Sequence, residues 1–368
     1  PPLPVRWIPL RLTVLCPAPA LPVLVPVQLL TAAATVPLPC PPLHVEVNMT
    51  APYVVSYADW AARLDRVMTL PVLEQRAQFF QLSLLAMQQH QPLALLAAFV
   101  RDRLAPALAG QPALAGDVQD LYALLFSQML QLGSRSRLSD RCDRQLVTPA
   151  MQELARLVLA RLARNSSQEP AAADVLRPQA LFWAVYYQDA ATTSQALQWF
   201  RAASLNTTTA AAASWAAAAD GNVTLFDELL RLYAAGGDYQ SQLLLALTAG
   251  ANDTALCARA FELVARAPPA DQLQAMSNVL QYSRSAACRR LAIAGPARAA
   301  MAALWSEQGQ AATPGIVGAV VPFLASALEM DAVREALAQH ADMLDPVQQA
   351  VVDIKLATSS AYLQYNQC

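Results

Sequence analysis

The apolar residues change their period part-way along the chain, and that switch constrains the fold more than any other feature. Ile8, Leu10, Leu12 and Val14 alternate with Pro9, Arg11 and Thr13, and Leu43, Val45, Val47 and Met49 alternate with His44, Glu46, Asn48 and Thr50. A period of two sends successive side chains to opposite faces of a strand. Half of the 26 prolines fall within the first 52 residues, where Arg6, Arg11 and Glu46 are the charges. Residues 1–55 therefore read as about three strands with proline-rich connections, and Pro9 inside the first points to an edge or a bulge.

From Ser56 onward the period becomes helical. Ser56 with Asp59 three residues later predicts a cap for a helix through Trp60, Leu64, Val67 and Met68. Pro71 opens a second, through Phe79, Phe80, Ser83, Leu84 and Met87. Pro92 opens a third, with Leu96, Val100 and Leu104 on one face. Met151, Leu154, Leu157, Val158 and Leu162 predict another apolar face, and the segment from Asn222 through Tyr233 closes at Gly236 and Gly237. Gly250-Ala251-Asn252-Asp253 and Ala267-Pro268-Pro269 mark turns between helices, and Thr207–Ala219 reads as a buried Ala-rich helix around Trp215. An unbroken series of about 15 or more helices with short loops makes sequential helices antiparallel neighbours. Residues 56–368 are thus expected to form an irregular, HEAT-like α-solenoid.

Composition narrows the function. Hydrophobic residues make up 55% and charged residues 14%, with mean hydropathy +0.29, so disorder is excluded. The uncharged run from Leu12 to Leu43 fails as a membrane span because eight prolines, Pro17 to Pro42, interrupt it. The run from Pro314 to Leu328 is too short. The chain lacks an initiator Met and a basic segment leading into an apolar one, which predicts a mature product or a fragment. A net charge of −2 supplies no basic excess for nucleic acid. Five Asn-x-Ser/Thr sequons, at Asn48, Asn165, Asn206, Asn222 and Asn252, exceed the roughly one or two expected by chance and suggest a secreted or lumenal route. The six cysteines contain no Cys-x-x-Cys pair; Cys16 with Cys40 and Cys257 with Cys288 are candidate disulfides in that compartment.

Several segments resemble the C-terminal portion of the M1 zinc aminopeptidases, the gluzincins. Trp7-Ile8-Pro9-Leu10 is similar to a strand of that family's β-sandwich domain. Asn48, Tyr53, Val55, Tyr57, Trp60 and Leu64 resemble its junction into the helical domain, and Arg76-Ala77-Gln78 stands where the family opens an early helix. Asp227 to Tyr233 and Gln242 to Leu247 resemble its later helices less specifically. The resemblance implies the end of a β-sandwich followed by a helical superhelix. Ala51, Val54 and Gln81-Leu82 depart from the family pattern, as a divergent or inactive relative would.

The family's reaction needs zinc held by H-E-x-x-H and a distant glutamate. The histidines here are His44, His90 and His340, too far apart for that motif, and the family's Gly-x-Met-Glu-Asn segment is absent. The chain thus carries no catalytic centre or cofactor of its own, and zinc is expected in a catalytic domain outside it. His44 reads as a solvated strand residue, His90 and His340 as residues near helix C-termini, and Arg289 and Arg290 as helix-surface charges. The expected role is to cover an active site and restrict peptide access, with the catalytic and N-terminal domains of the same protein, a peptide substrate, and a homodimer or protein partner as contacts. The alternative is an extracellular α-solenoid binding module or an inactive homologue.

Overall fold

A computed structural model of the chain describes residues 8–15, 23–29, 44–47, 93–104, 143–164, 170–324 and 326–340, with single positions and short stretches within 79–82 and 344–357. The chain divides into two compact units, Pro1–Ala58 and Asp59–Cys368. Most described residues are helical.

In the first unit, β1 (Ile8–Leu15), β2 (Val23–Leu29) and β3 (His44–Val47) form an antiparallel sheet in the order β2-β1-β3. β1 pairs with β2 from Ile8↔Leu29 to Val14↔Val23, and with β3 only from Leu12↔Val47 to Leu15↔His44. Pro9 therefore lies in the part of β1 that has one described neighbour, opposite Gln28. Pro26 lies in β2, an edge strand among the described residues. A residue without an N–H is tolerated at both positions because no second ladder demands a donor there.

The second unit is helical. Positions 79, 80 and 82 are helical, with Phe79 and Leu82 buried. α1 (Leu93–Phe99) runs on through a widened turn, Val100–Leu104. Then follow α2 (Thr148–Arg164), α3 (Pro170–Tyr186), α4 (Ala190–Arg201), α5 (Ala210–Ala219) and α6 (Val223–Ala235). After these come α7 (Gln240–Leu245), α8 (Thr254–Val264), α9 (Pro269–Tyr282), α10 (Ala286–Ala292), α11 (Arg298–Gln308), α12 (Thr313–Val320) and α13 (Ala327–Ala338). Met151, Leu154, Leu157, Val158 and Leu162 are all buried, as their spacing on α2 requires.

Local chemistry sets the boundaries. Asn222 caps α6 through its Oδ1, which accepts from the N–H groups of Thr224 and Leu225, and Gly236 ends that helix at φ 76°. Asp253 caps α8 and Ser326 caps α13 in the same manner, while Pro269 opens α9 where a missing N–H costs nothing. α10 and α11 are joined through a widened turn, Ile293–Ala297, that contains Pro296. Proline cannot donate to the carbonyl four residues back and its ring clashes there, so the turn opens.

α5 is covered on nearly every side. Ala210, Ala212, Ala213, Ser214, Trp215, Ala216, Ala217 and Ala218 are buried, and the helix packs on α3, α4, α6 and α7. A helix apolar all round must be covered all round, and methyl side chains let several neighbours approach closely. The approach is tightest at Gly250, in the widened turn Ala246–Gly250 after α7, where an added Cβ would lie 3.0 Å from Ala218 Cβ. α9 also buries two faces: Ala275, Met276 and Val279 join a core shared with α4 to α8, and Leu273 and Leu280 join a second core with α11 to α13. This double burial explains how a low-charge, Ala- and Leu-rich chain uses its apolar residues.

Candidate functional site

The end of α3 brings Phe182, Trp183 and Tyr186, with Tyr187 in the turn that follows, onto one side, at spacings of one, four and five residues. The Phe182 ring meets Trp183 at 4.9 Å and Trp215 of α5 at 5.4 Å, both edge-on, and Tyr282 at the end of α9 stacks on Trp183 at 6.4 Å. Edge-to-face contact suits the ring quadrupoles. Arg284, in the turn after α9, completes the cluster. Its Nη1 donates to the Tyr186 carbonyl at 3.3 Å and its Nη2 to Thr148 Oγ1 at 3.4 Å. Its Cζ lies 5.9 Å from the Tyr186 ring and 5.7 Å from the Tyr187 ring. These bonds join residues 98 and 136 positions apart in the chain. Strict nearest-neighbour stacking of repeats would not bring them together. Arg284 therefore clamps the α9–α10 turn to the ends of α2 and α3.

Beside this cluster, Asp189 caps α4. Its Oδ1 accepts from the Thr192 N–H at 3.0 Å and the Thr192 hydroxyl at 2.8 Å, and its Oδ2 accepts from Arg156 Nε at 2.8 Å. Burial pushes the carboxyl up, but the Thr192 N–H and the Arg156 guanidinium together outweigh it and hold Asp189 below the usual range. Every described atom of this carboxylate thus has a structural partner, which leaves it poorly suited to proton transfer.

One expectation fails here. Arg289 is not a surface charge: it is 3% exposed, and it makes a bidentate pair with the equally buried Glu329 of α13. Arg289 Nε meets Oε1 at 3.0 Å and Nη2 meets Oε2 at 2.9 Å; Nη2 also donates to the Phe323 carbonyl at 2.7 Å, and Nη1 donates to the Leu280 carbonyl. The fork supplies donors to a carboxylate and to two carbonyls at once, which makes its burial tolerable. Arg290, about 100° further round the helix, is exposed.

Cys257 of α8 and Cys288 of α10 are joined by a disulfide with a Cα–Cα separation of 5.8 Å, and both are fully buried. Asn206, Asn222 and Asn252 are exposed, each at or just before the start of a helix. His340 follows α13 and lies against the buried Trp305 ring at 4.7 Å. His44 is the first residue of β3. Asn48, Asn165, Cys16, Cys40, His90, the junction residues Tyr53 to Leu64 and Arg76-Ala77-Gln78 lie outside the described residues.

Among the described residues, no three His, Cys, Asp or Glu side chains come together as a metal site. Nor is any described helix long and apolar enough to cross a membrane. What the sequence did not show is the Arg284–aromatic clamp and the Arg289–Glu329 pair, whose partners are too distant in the chain to leave a local signal. No protein-family model matches this chain, and no curated protein matches it in sequence.

Proposed function

We propose that this chain is the non-catalytic C-terminal portion of an M1-type metallo-aminopeptidase, comprising the last strands of a β-sandwich and a HEAT-like helical superhelix. The observation that carries the reading is the sequence Trp7-Ile8-Pro9-Leu10, the last three residues of which open β1, in a unit followed by an all-helical one among the described residues. A solenoid scaffold alone has no need of such strands. In this role the helical unit covers an active site carried by a zinc domain outside the chain. It limits access to peptides short enough to enter, and removal of one N-terminal residue at a time is the work of the assembly. The sequons and the buried Cys257–Cys288 bridge support a secreted or lumenal setting.

A second reading is an extracellular binding module or inactive homologue whose helical surface holds a protein partner. It is favoured by Ala51, Val54 and Gln81-Leu82, which depart from the family pattern. The two readings separate in one assay. The native protein, captured through this chain, is tested for release of N-terminal residues from a panel of aminoacyl reporters, with and without a metal chelator. Chelator-sensitive release supports the enzyme, and no release from any reporter abandons it for the binding module.

A further inference from the structure

The two sequon asparagines that bracket α5 use only one end of their carboxamide in the fold. Asn222 is exposed, and its Oδ1 accepts from Thr224 N at 2.8 Å and from Leu225 N at 3.4 Å. Asn206 is also exposed, and its Oδ1 accepts from Thr208 N at 2.9 Å and Thr209 N at 3.0 Å, closing the turn that leads into α5. In both, the hydrogen-bonded oxygen fixes the carboxamide, and among the described residues the nitrogen makes no hydrogen bond. Asn252 differs, because there the nitrogen is the bonded atom: Nδ2 donates to the Ala219 carbonyl at 3.3 Å. Each of the first two stands in the order Asn-x-Thr, with Thr208 and Thr224 two residues on.

The geometry points to Asn206 and Asn222 as dual-use residues, each organising the start of a helix through Oδ1 and carrying an N-linked glycan on Nδ2. This rests on the secretory setting proposed above. The transfer needs a lipid-linked oligosaccharyl pyrophosphate as donor. Nδ2 attacks the anomeric carbon, the N–C bond forms as the anomeric C–O bond breaks, the pyrophosphate leaves with the electron pair, and one Nδ2 proton passes to a base of the transferase. Oδ1 takes no part, so the cap survives and Nδ2 keeps one hydrogen. The two asparagines flank opposite ends of α5, a helix of ten residues and so about 15 Å long. The body of that helix is buried between its neighbours, so neither sugar competes with packing.

The test secretes the full chain from a eukaryotic host behind a cleavable leader, then removes N-glycans enzymatically in heavy-oxygen water and maps labelled aspartates by mass. Label at 206 and 222 is expected; a secreted chain without label at either position overturns the proposal for that position. Because the leader imposes the route, empty sites would count against this inference and leave the natural compartment to be judged separately. Three variants separate the two uses of Asn222. Thr224→Ala and Asn222→Asp should each lose one glycan and keep the melting temperature. Asn222→Gln should lose the same glycan and melt about 1–2 °C lower, because the cap goes too. If Asn222→Asp melts as low as Asn222→Gln, the division of roles between Oδ1 and Nδ2 is wrong.

Discussion

Removing one partner of the Arg289–Glu329 pair is expected to be among the most damaging single changes in the helical unit. Glu329→Ala leaves a guanidinium that is 3% exposed, with the Phe323 and Leu280 carbonyls as its remaining partners among the described residues. Breaking a buried pair in this way costs about 3–5 kcal/mol. The second unit, Asp59–Cys368, has about 310 residues, for which the unfolding entropy is about 0.65 kcal/mol/K. The expected loss is therefore about 5–8 °C in melting temperature, read by circular dichroism, with a matching drop in the urea midpoint. Replacing both residues by apolar ones of similar size, Arg289→Met with Glu329→Leu, removes the stranded charge and should restore most of that loss. A surface pair supplies the control. Arg298 Nη2 lies 3.2 Å from Glu335, which is 63% exposed, and Arg298→Ala should cost no more than about 1 kcal/mol. If Glu329→Ala costs as little as the surface control, or if the double replacement is worse than either single one, the burial argument is refuted.

Other expectations follow from the same packing. The Cys257–Cys288 bridge closes a loop with a sequence separation of 31; replacing both cysteines by serine should cost about 3–4 kcal/mol, measured by urea unfolding, with little change if the bridge is absent in the native protein. Gly250→Ala should destabilise by about 1–2 kcal/mol despite alanine's better helix propensity, because the new methyl meets Ala218 Cβ at 3.0 Å and the Trp215 ring at 3.5 Å; a gain would mean that the α5 contact is looser than described. Ser214→Ala should stabilise by about 1 kcal/mol, since the Ser214 hydroxyl is buried with no hydrogen-bond partner among the described residues. Asp189 is held below its usual range in the fold, so its contribution is complete above the unfolded value of about 3.9 and is lost as pH falls through the folded one. The gap in melting temperature between wild type and Asp189→Asn should therefore be widest near neutral pH and shrink in acid; a gap independent of pH would rule out the ionised carboxylate as its source.

Much of the local structure was legible because its causes are local. The apolar face of α2, the start of α6 after Asn222 and its stop at Gly236, the turn that precedes α9 and the buried Trp215 helix each follow from residues within a turn or two of one another. The wide turns Ala246–Gly250 and Ile293–Ala297 were not, because a local underwinding by one residue carries no composition signal of its own. Arg289 and Arg290 show the limit most plainly. Adjacent and chemically identical, one is buried and the other exposed, and the choice is made by a glutamate 40 positions away. Arg284 is similar, since its partners Thr148 and Tyr186 meet it only after several helices have packed. None of the candidate site around Arg284 was legible, because no motif within one helix links Arg284 to Thr148 and Tyr186.

The proposed aminopeptidase role requires a zinc domain that works together with this chain. The most direct measurement is the coding sequence of the native protein on the N-terminal side of Pro1. The account predicts an H-E-x-x-H motif with a further glutamate ligand downstream, in frame with the strand that begins at Ile8. A reading frame that reaches this strand with the histidines or the glutamates of that motif replaced would contradict the enzymatic role and leave the binding module in its place.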